Sequence, residues 1–525
     1  MTMTHPGLPM DWAQWVIGFM VVATLWTLLI PVKQLATGHQ QRMSFQSIPV
    51  LGQLSRYLVR HSGFLLFLKL AFAAIFLLVI VAGLWGTAIP ERNLATSLTW
   101  NLWWGGIVIA IVFSGSAWCA VCPWDTLASL LVKGRIWGRS ASNNLLRLTV
   151  PKQLRNVWPA TVLFVGLSWL ELGVGVTTSP YATALMAIMM VLLAVVVMVL
   201  FKDKAFCRYF CPVGRTVGVY SQLAPVALRP VDESICDRCE TLECYHGSLI
   251  VTDGNSVANI DACPTRLVMG RLQESTYCTS CGNCTQSCPS NNINWTLRAP
   301  SVEAIHDSRP HSDEAFFMLT LLFLTSFHGL SMLDGWQATM TDLTQFLGVK
   351  APALLGFTLA LAACLLVPIA AYSGVAKLCE KILLINSDGL PVSELNYKKI
   401  FSSFAFIAIP LAFSYHIAHN LNHLLREAND WPALLANPLG TDALPLSMME
   451  KHARHSDLWM SQELLFSLQA GLLTIGFYLA LQVIRHRANT VFQSKAVVFL
   501  PMVLFAIAVT AFNLWLLMQD MVMRM

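Results

Sequence analysis

Three cysteine runs decide how this chain is read: CDRCETLEC at 236–244, DACP at 261–264 and CTSCGNCTQSCP at 278–289. In the last run, Cys278, Cys281, Cys284 and Cys288, followed by Pro289, have the C-x2-C-x2-C-x3-C-P spacing of cubane iron–sulfur sites. Three thiolates from one tight loop cap three irons of a [4Fe–4S] cube. A more distant cysteine reaches the fourth iron, and the proline turns the chain away. Cys236, Cys239 and Cys244 with Cys263-Pro264 make a looser copy, with four residues in one gap and a long insertion before the CP. Disulfides belong to small secreted domains, and zinc to paired CxxC motifs without the trailing proline, so neither accounts for the pattern.

In two-cluster ferredoxins the fourth cysteine of each run serves the other cluster. That rule joins Cys236, Cys239 and Cys244 to Cys288, and Cys278, Cys281 and Cys284 to Cys263; the uncrossed pairing is the alternative. Inside the long insertion, Asp253-Gly254-Asn255 between apolar runs suggests a short hairpin, which either shields a cluster or docks a partner.

The rest of the chain is a membrane protein. Of 525 residues, 55% are hydrophobic and 12% charged, and the mean hydropathy is +0.58; an ordinary soluble domain has about 25% charged residues. Ten stretches are long and apolar enough to cross a bilayer: Trp12–Pro31, Phe64–Leu84, Thr99–Ser116, Trp158–Val176, Tyr181–Phe201, Ala315–Leu333, Leu354–Gly374, Ile400–Asn420, Glu463–Val483 and Val497–Met518. The expected fold is therefore mainly α. A polytopic bundle of about ten helices has a two-cluster, ferredoxin-like α+β domain inserted at 202–314. Five-helix membrane domains flank it at 1–201 and 315–525.

Alternate connections hold 27 Lys and Arg on one side and 6 on the other, with Lys69 inside the second span. The positive-inside rule puts the heavy side, and the iron–sulfur domain, in the cytoplasm of a bacterial inner membrane, with both termini periplasmic. The N-terminus has no Lys or Arg and does not read as a signal peptide. The net charge of +5 follows from this topology and calls for no nucleic acid. Lys69 is expected to snorkel. Trp12, Trp15, Trp100, Trp103 and Trp104 read as an aromatic belt at outer helix ends.

The third and fifth spans run inward to SAWCAVCPW and FCRYFCPVGR. Cys119, Cys122, Cys207 and Cys211, each pair ending in proline, then lie at one depth at the cytoplasmic face. Four thiolates there make a third [4Fe–4S] cluster the economical reading, and 12 of the 14 cysteines fall into three sets of four. Cys364 and Cys379 are left as small apolar residues. Lys202, Lys204, Arg208 and Arg215 nearby would offset cluster charge, or are simply positive-inside residues.

With these motifs the chain resembles the membrane-bound polyferredoxins, the NapH-, NosR- and CcoG-like 4Fe–4S membrane proteins, over roughly residues 60–300. The resemblance implies electron transfer across or along the membrane, commonly drawing on quinol. It departs at CAVCP, one residue shorter than CxxxCP, at the stretched first run, and in the five later helices.

Residues 315–525 have no cysteine motif, so their role rests on polar groups within the membrane. His328 in the sixth span and His416 and His419 in the eighth reach similar depth near the outer leaflet, and His416, His419 and His423 fall on one helical stripe. They suit a b-type haem; a quinone or proton site, a copper or zinc site, and plain hydrogen bonding are the alternatives. Glu171 could take a proton from quinol. The outer loop at 421–462, with His452 and His455, could meet a periplasmic cytochrome c. On the cytoplasmic side a reductase or ferredoxin would serve.

The expected function is integral membrane electron transfer between the quinone pool or a membrane haem and a redox partner. The chain would be an electron-transfer component of an oxidoreductase system and not a stand-alone catalyst. An electron-donating maturation factor or redox regulator for a metalloenzyme is the alternative.

Overall fold

The computed structural model describes residues 4–30, 42–60, 62–133, 146–252, 256–346, 353–386 and 396–522. Among these, nine helices are long and apolar enough to span a bilayer. They are α1 (Met10–Leu29), α2 (Gly63–Trp85), α3 (Leu94–Ser114), α4 (Pro180–Leu200), α5 (Ser312–Ser331), α6 (Leu354–Ile385), α7 (Tyr397–Arg426), α8 (Gln462–Phe492) and α9 (Ala496–Met518). The chain is a multi-pass membrane bundle.

The remaining expected span, 158–176, is shorter. An α-helix over Trp158–Ser168 widens into a π turn at Trp169–Gly173 and ends before Gly175, which has φ +78°. Sixteen helical residues rise about 24 Å, less than the roughly 30 Å hydrocarbon core.

α7 is the axis of the bundle. Its most apolar window is 94% buried, against 17% for α2, and it packs on α8, α5 and α3. An apolar helix buried all round sits inside a bundle, whereas α2 and α6 turn leucines and valines outward as lipid-facing helices do. The chain ends meet at one end of the bundle, where strand β1 (Thr4–His5) pairs with Met521–Val522.

Between α4 and α5 the chain leaves the bundle. Two strands, Val226–Pro230 and Ile293–Leu297, pair antiparallel with Val226 opposite Leu297, and the cysteine loops lie between them. Met43–Ser44 adds a third strand beside Leu297 and Thr296, so the connection between α1 and α2 belongs to this sheet. The expected hairpin is present as Ser248–Thr252 paired with Ser256–Ile260; its turn at 253–255 lies outside the described residues.

A buried ion triad ties the sheet to the turn Glu303–Asp307, which packs on α8. Glu303 bonds Arg229, Arg298 and Ser275, and the three charged side chains are each 2% exposed or less. Arg487 of α8 donates to the carbonyls of Ala304 and Ser308 at 2.8 and 3.1 Å. Gly218 lets the helix Pro212–Tyr220 lie against the cysteine loop, since a Cβ there would meet Thr276 O at 2.1 Å.

Candidate iron–sulfur sites

Beyond α3, Gly115 (φ +56°) turns the chain into the short helix Trp118–Val121, and Pro123 opens another helix over Pro123–Lys133. Beyond α4, Cys207 lies on a π turn, Phe206–Phe210, and Cys211 caps the helix opened by Pro212. Proline suits a first helical turn because its missing N–H has no intrahelical partner to lose. The Gly214 N–H instead donates to Cys211 Sγ at 3.2 Å.

The two pairs form one group. Burial pushes the Cys119 thiol well above its ordinary range, and the neighbouring Cys122, Cys207 and Cys211 push it further. Burial likewise drives Cys122, Cys207 and Cys211 up to about 12. Four thiols that oppose one another's ionisation need a cation to become thiolates together.

The loops at 236–289 form two more groups. Cys236 has Cys288, Cys244 and Cys239 as electrostatic neighbours. Cys281 and Cys278 each have Cys263, and Cys284 has Cys281, Cys278 and Cys263. Backbone N–H groups aim at the sulfurs: Leu267 to Cys263 at 3.3 Å, Ser280 to Cys278 at 3.5 Å and Asn292 to Cys288 at 3.4 Å. Ser280 and Gly282 take positive φ, so the CTSCGNC loop curls its amides inward.

These donor sets fit [4Fe–4S] clusters. All 14 cysteines are free of disulfides. Among the described residues no three His, Cys, Asp or Glu side chains converge on a single ion. A cube holds its four thiolates around its outside, further apart than the ligands of one ion, and amide donors to sulfur stabilise its charge.

The three groups lie in a row. Cys284 and Cys244 are neighbours across the first two. Lys204, three residues before Cys207, neighbours both Cys207 and Cys281 and so joins the second group to the third. Ser116 and Ser280 hydroxyls meet at 2.8 Å across the same seam, and Arg208 donates to Thr265 O at 2.6 Å.

Residues 96–140 and 183–223, which contain Cys119, Cys122, Cys207 and Cys211, match the family described as "4Fe-4S binding domain". The chain is thus similar to 4Fe–4S binding domains over these two segments. It is also 29% identical over 147 residues to YccM of Escherichia coli (strain K12), a protein named for electron transport; that stretch is 27% of this chain and 36% of YccM. The chain thus spans about a third of that relative's length. No solved structure matches.

Three residues near the cysteine pairs differ from expectation. Lys69 does not snorkel; it is 8% exposed and has Lys204, Asp125, Cys281 and Cys122 as electrostatic neighbours. Trp103 and Trp104 are not belt residues, because α3 begins at Leu94, five residues before the expected Thr99, which moves both toward mid-helix. The Trp103 ring lies 5.7 Å from Trp118 and 5.6 Å from Trp124, the tryptophans flanking the CAVCP pair. Trp104 lies 5.5 Å from His416.

His328 and His419 are 5.2 Å apart, His419 and His423 5.0 Å, and His423 and His5 5.2 Å, centroid to centroid. His416 turns the other way, to Tyr220 Oη at 3.2 Å. The His328 and His419 rings meet edge to face. His5 is a missed member of this row; a lone histidine five residues into the chain gives no signal of its partner on α7. A small cavity is lined by Trp104, Glu171, His328, His416, His419 and Asn420 among others. It shares His328 and Asn420 with an open cleft that reaches His423 and Arg454.

Proposed function

We propose that this chain is an integral membrane electron-transfer protein that passes electrons between quinone, bound in the histidine-lined cavity, and a redox partner at the cysteine-rich domain. The observation that carries the reading is the row of three cysteine quartets running from that domain to the membrane edge, with the cavity beyond it. Cys119, Cys122, Cys207 and Cys211 would hold one [4Fe–4S] cluster. Cys236, Cys239, Cys244 and Cys288 would hold the second, and Cys263, Cys278, Cys281 and Cys284 the third. Such clusters supply one-electron carriers whose potentials follow charge, hydrogen bonds to sulfur and exposure.

The chain's own residues do the rest. Amides at Gly214, Leu267, Ser280 and Asn292 hold the sulfurs. Trp103 and Trp104 fill the space between the CAVCP pair and His416 with packed rings. Glu171, His328 and His419 line the cavity as proton acceptors for a hydroquinone hydroxyl, and His423 and His5 extend the row of imidazoles beyond. A histidine takes a proton on one nitrogen and releases it from the other. The excess of Lys and Arg on the cluster side supports a cytoplasmic location for that domain and periplasmic termini.

The test is anaerobic mixing of the purified protein with a short-chain quinol. Bleaching of the cluster absorbance is expected, slowed about 10- to 100-fold in Glu171→Gln or His328→Phe. Bleaching at an equal rate in both variants would remove the cavity from the account.

A further inference from the structure

Lys204 occupies a place that no hydrogen-bonding need of its own segment explains. Its backbone N–H donates to Pro264 O at 3.0 Å, directly after Cys263 of one quartet, while Cys207 of the next follows three residues along. Its ammonium is 2.5 Å from Asp125 Oδ2, on the helix that starts after Cys122, and the two side chains are 23% and 7% exposed. Lys69 comes to the same seam from α2 and shares its neighbours. Two lysines and one carboxylate leave one net positive charge between two sets of four thiolates. Burial alone would discharge Lys204; Asp125 and Cys207 outweigh it and keep the ammonium charged. Arg208 also crosses this seam, but its guanidinium goes to a carbonyl, Thr265 O, at 2.6 Å; Arg215 bonds Cys207 O at 2.9 Å, and Arg229 neighbours Cys278.

We propose that Lys204 is a shared positioning residue whose charge raises the reduction potentials of the membrane-edge cluster and of its neighbour at Cys263, Cys278, Cys281 and Cys284 together. This rests on the three-cluster reading above. Each cluster gains a negative charge on reduction, so a cation held between the two favours the reduced form of both. Because both shift alike, the step between them stays level. The third cluster, at Cys236, Cys239, Cys244 and Cys288, lies beyond its neighbour and feels the lysine least.

The test is redox titration of the intact, anaerobically purified protein, with each cluster followed by its electron paramagnetic resonance signal and iron counted in every sample. Lys204→Met is expected to disfavour reduction of two clusters by on the order of tenfold each, which is about 59 mV to more negative potential for a one-electron couple. The third signal should hold. Lys204→Arg and the exposed neighbour Lys202→Met should leave all three in place. Lys69→Met serves as the second variant, with a smaller shift of the same two signals.

No shift, a shift of one signal alone, or an equal shift of all three would overturn the proposal. Loss of the iron of these clusters in both methionine variants would also overturn it, making the lysines structural. Absence of iron from the unsubstituted protein would instead sink the three-cluster reading itself, so the two failures are distinct.

Discussion

Glu303→Gln probes the joint between the cysteine-rich domain and the bundle. Glu303 accepts from Arg229 and Arg298 and from the Ser275 backbone and hydroxyl at 2.9 and 3.0 Å, with Glu303 and Arg229 1% exposed and Arg298 2% exposed. The substitution keeps the shape and removes the carboxylate charge that both buried guanidiniums bond. Breaking a buried pair by removing one partner costs about 3–5 kcal/mol, because the remaining charge has neither water nor a counterion. At about 1.4 kcal/mol per decade, local opening of the sheet should become at least about 100-fold more frequent. Amide hydrogen exchange reads this directly in the paired strands Val226–Pro230 and Ile293–Leu297, since exchange there follows the opening equilibrium. Glu233→Gln is the internal control. Its carboxylate bonds Arg42 at 3.0 Å beside the same sheet but is 41% exposed, and such a pair contributes at most about 1 kcal/mol. A change under threefold in Glu303→Gln, or equal changes in the two variants, would refute the argument that burial gives the triad its weight.

Two further outcomes follow from the geometry. Gly218→Val should drive the helix Pro212–Tyr220 off the loop at Thr276, since even a Cβ would lie 2.1 Å from that carbonyl. Electron exchange between the membrane-edge cluster and its neighbour should slow, as measured by rapid-freeze paramagnetic resonance; an unchanged rate would mean that the contact does not set their spacing. The second concerns pH. Cys122, Cys207 and Cys211 are pushed from 9.0 up to about 12, so the iron-free fold keeps protons that the unfolded chain releases in between. Groups raised in the folded state add stability below the unfolded value and lose it as pH climbs to the folded one. Iron-free protein should therefore melt at progressively lower temperature from pH 9 toward 12, while loaded protein, its thiolates on iron, lacks this dependence. A flat iron-free profile would contradict the packed quartet.

Much of this was legible in the sequence because the decisive signals are local. Cysteine spacing in the CTSCGNC loop, proline after each pair, and long apolar runs all act within one or two turns of chain. What escaped depends on residues that meet across hundreds of positions. Met43–Ser44 pairs beside Leu297, and His5 meets His423, contacts that no periodicity reports. Lys69 was expected at the lipid surface because snorkelling is the default for a lysine in an apolar helix. Asp125 and the thiols that draw it inward come from other elements. The shortened helix at 158 escaped because hydropathy records apolar length and not the π turn at Trp169–Gly173 that interrupts it.

The central claim is that twelve cysteines form three quartets and that each quartet holds a cube of iron and sulfide. Iron and acid-labile sulfide per chain, counted on protein purified without oxygen, test it most directly. The account predicts about twelve of each. A count near eight would remove the membrane-edge cluster, and none at all, with the cysteines recovered as disulfides, would contradict the whole.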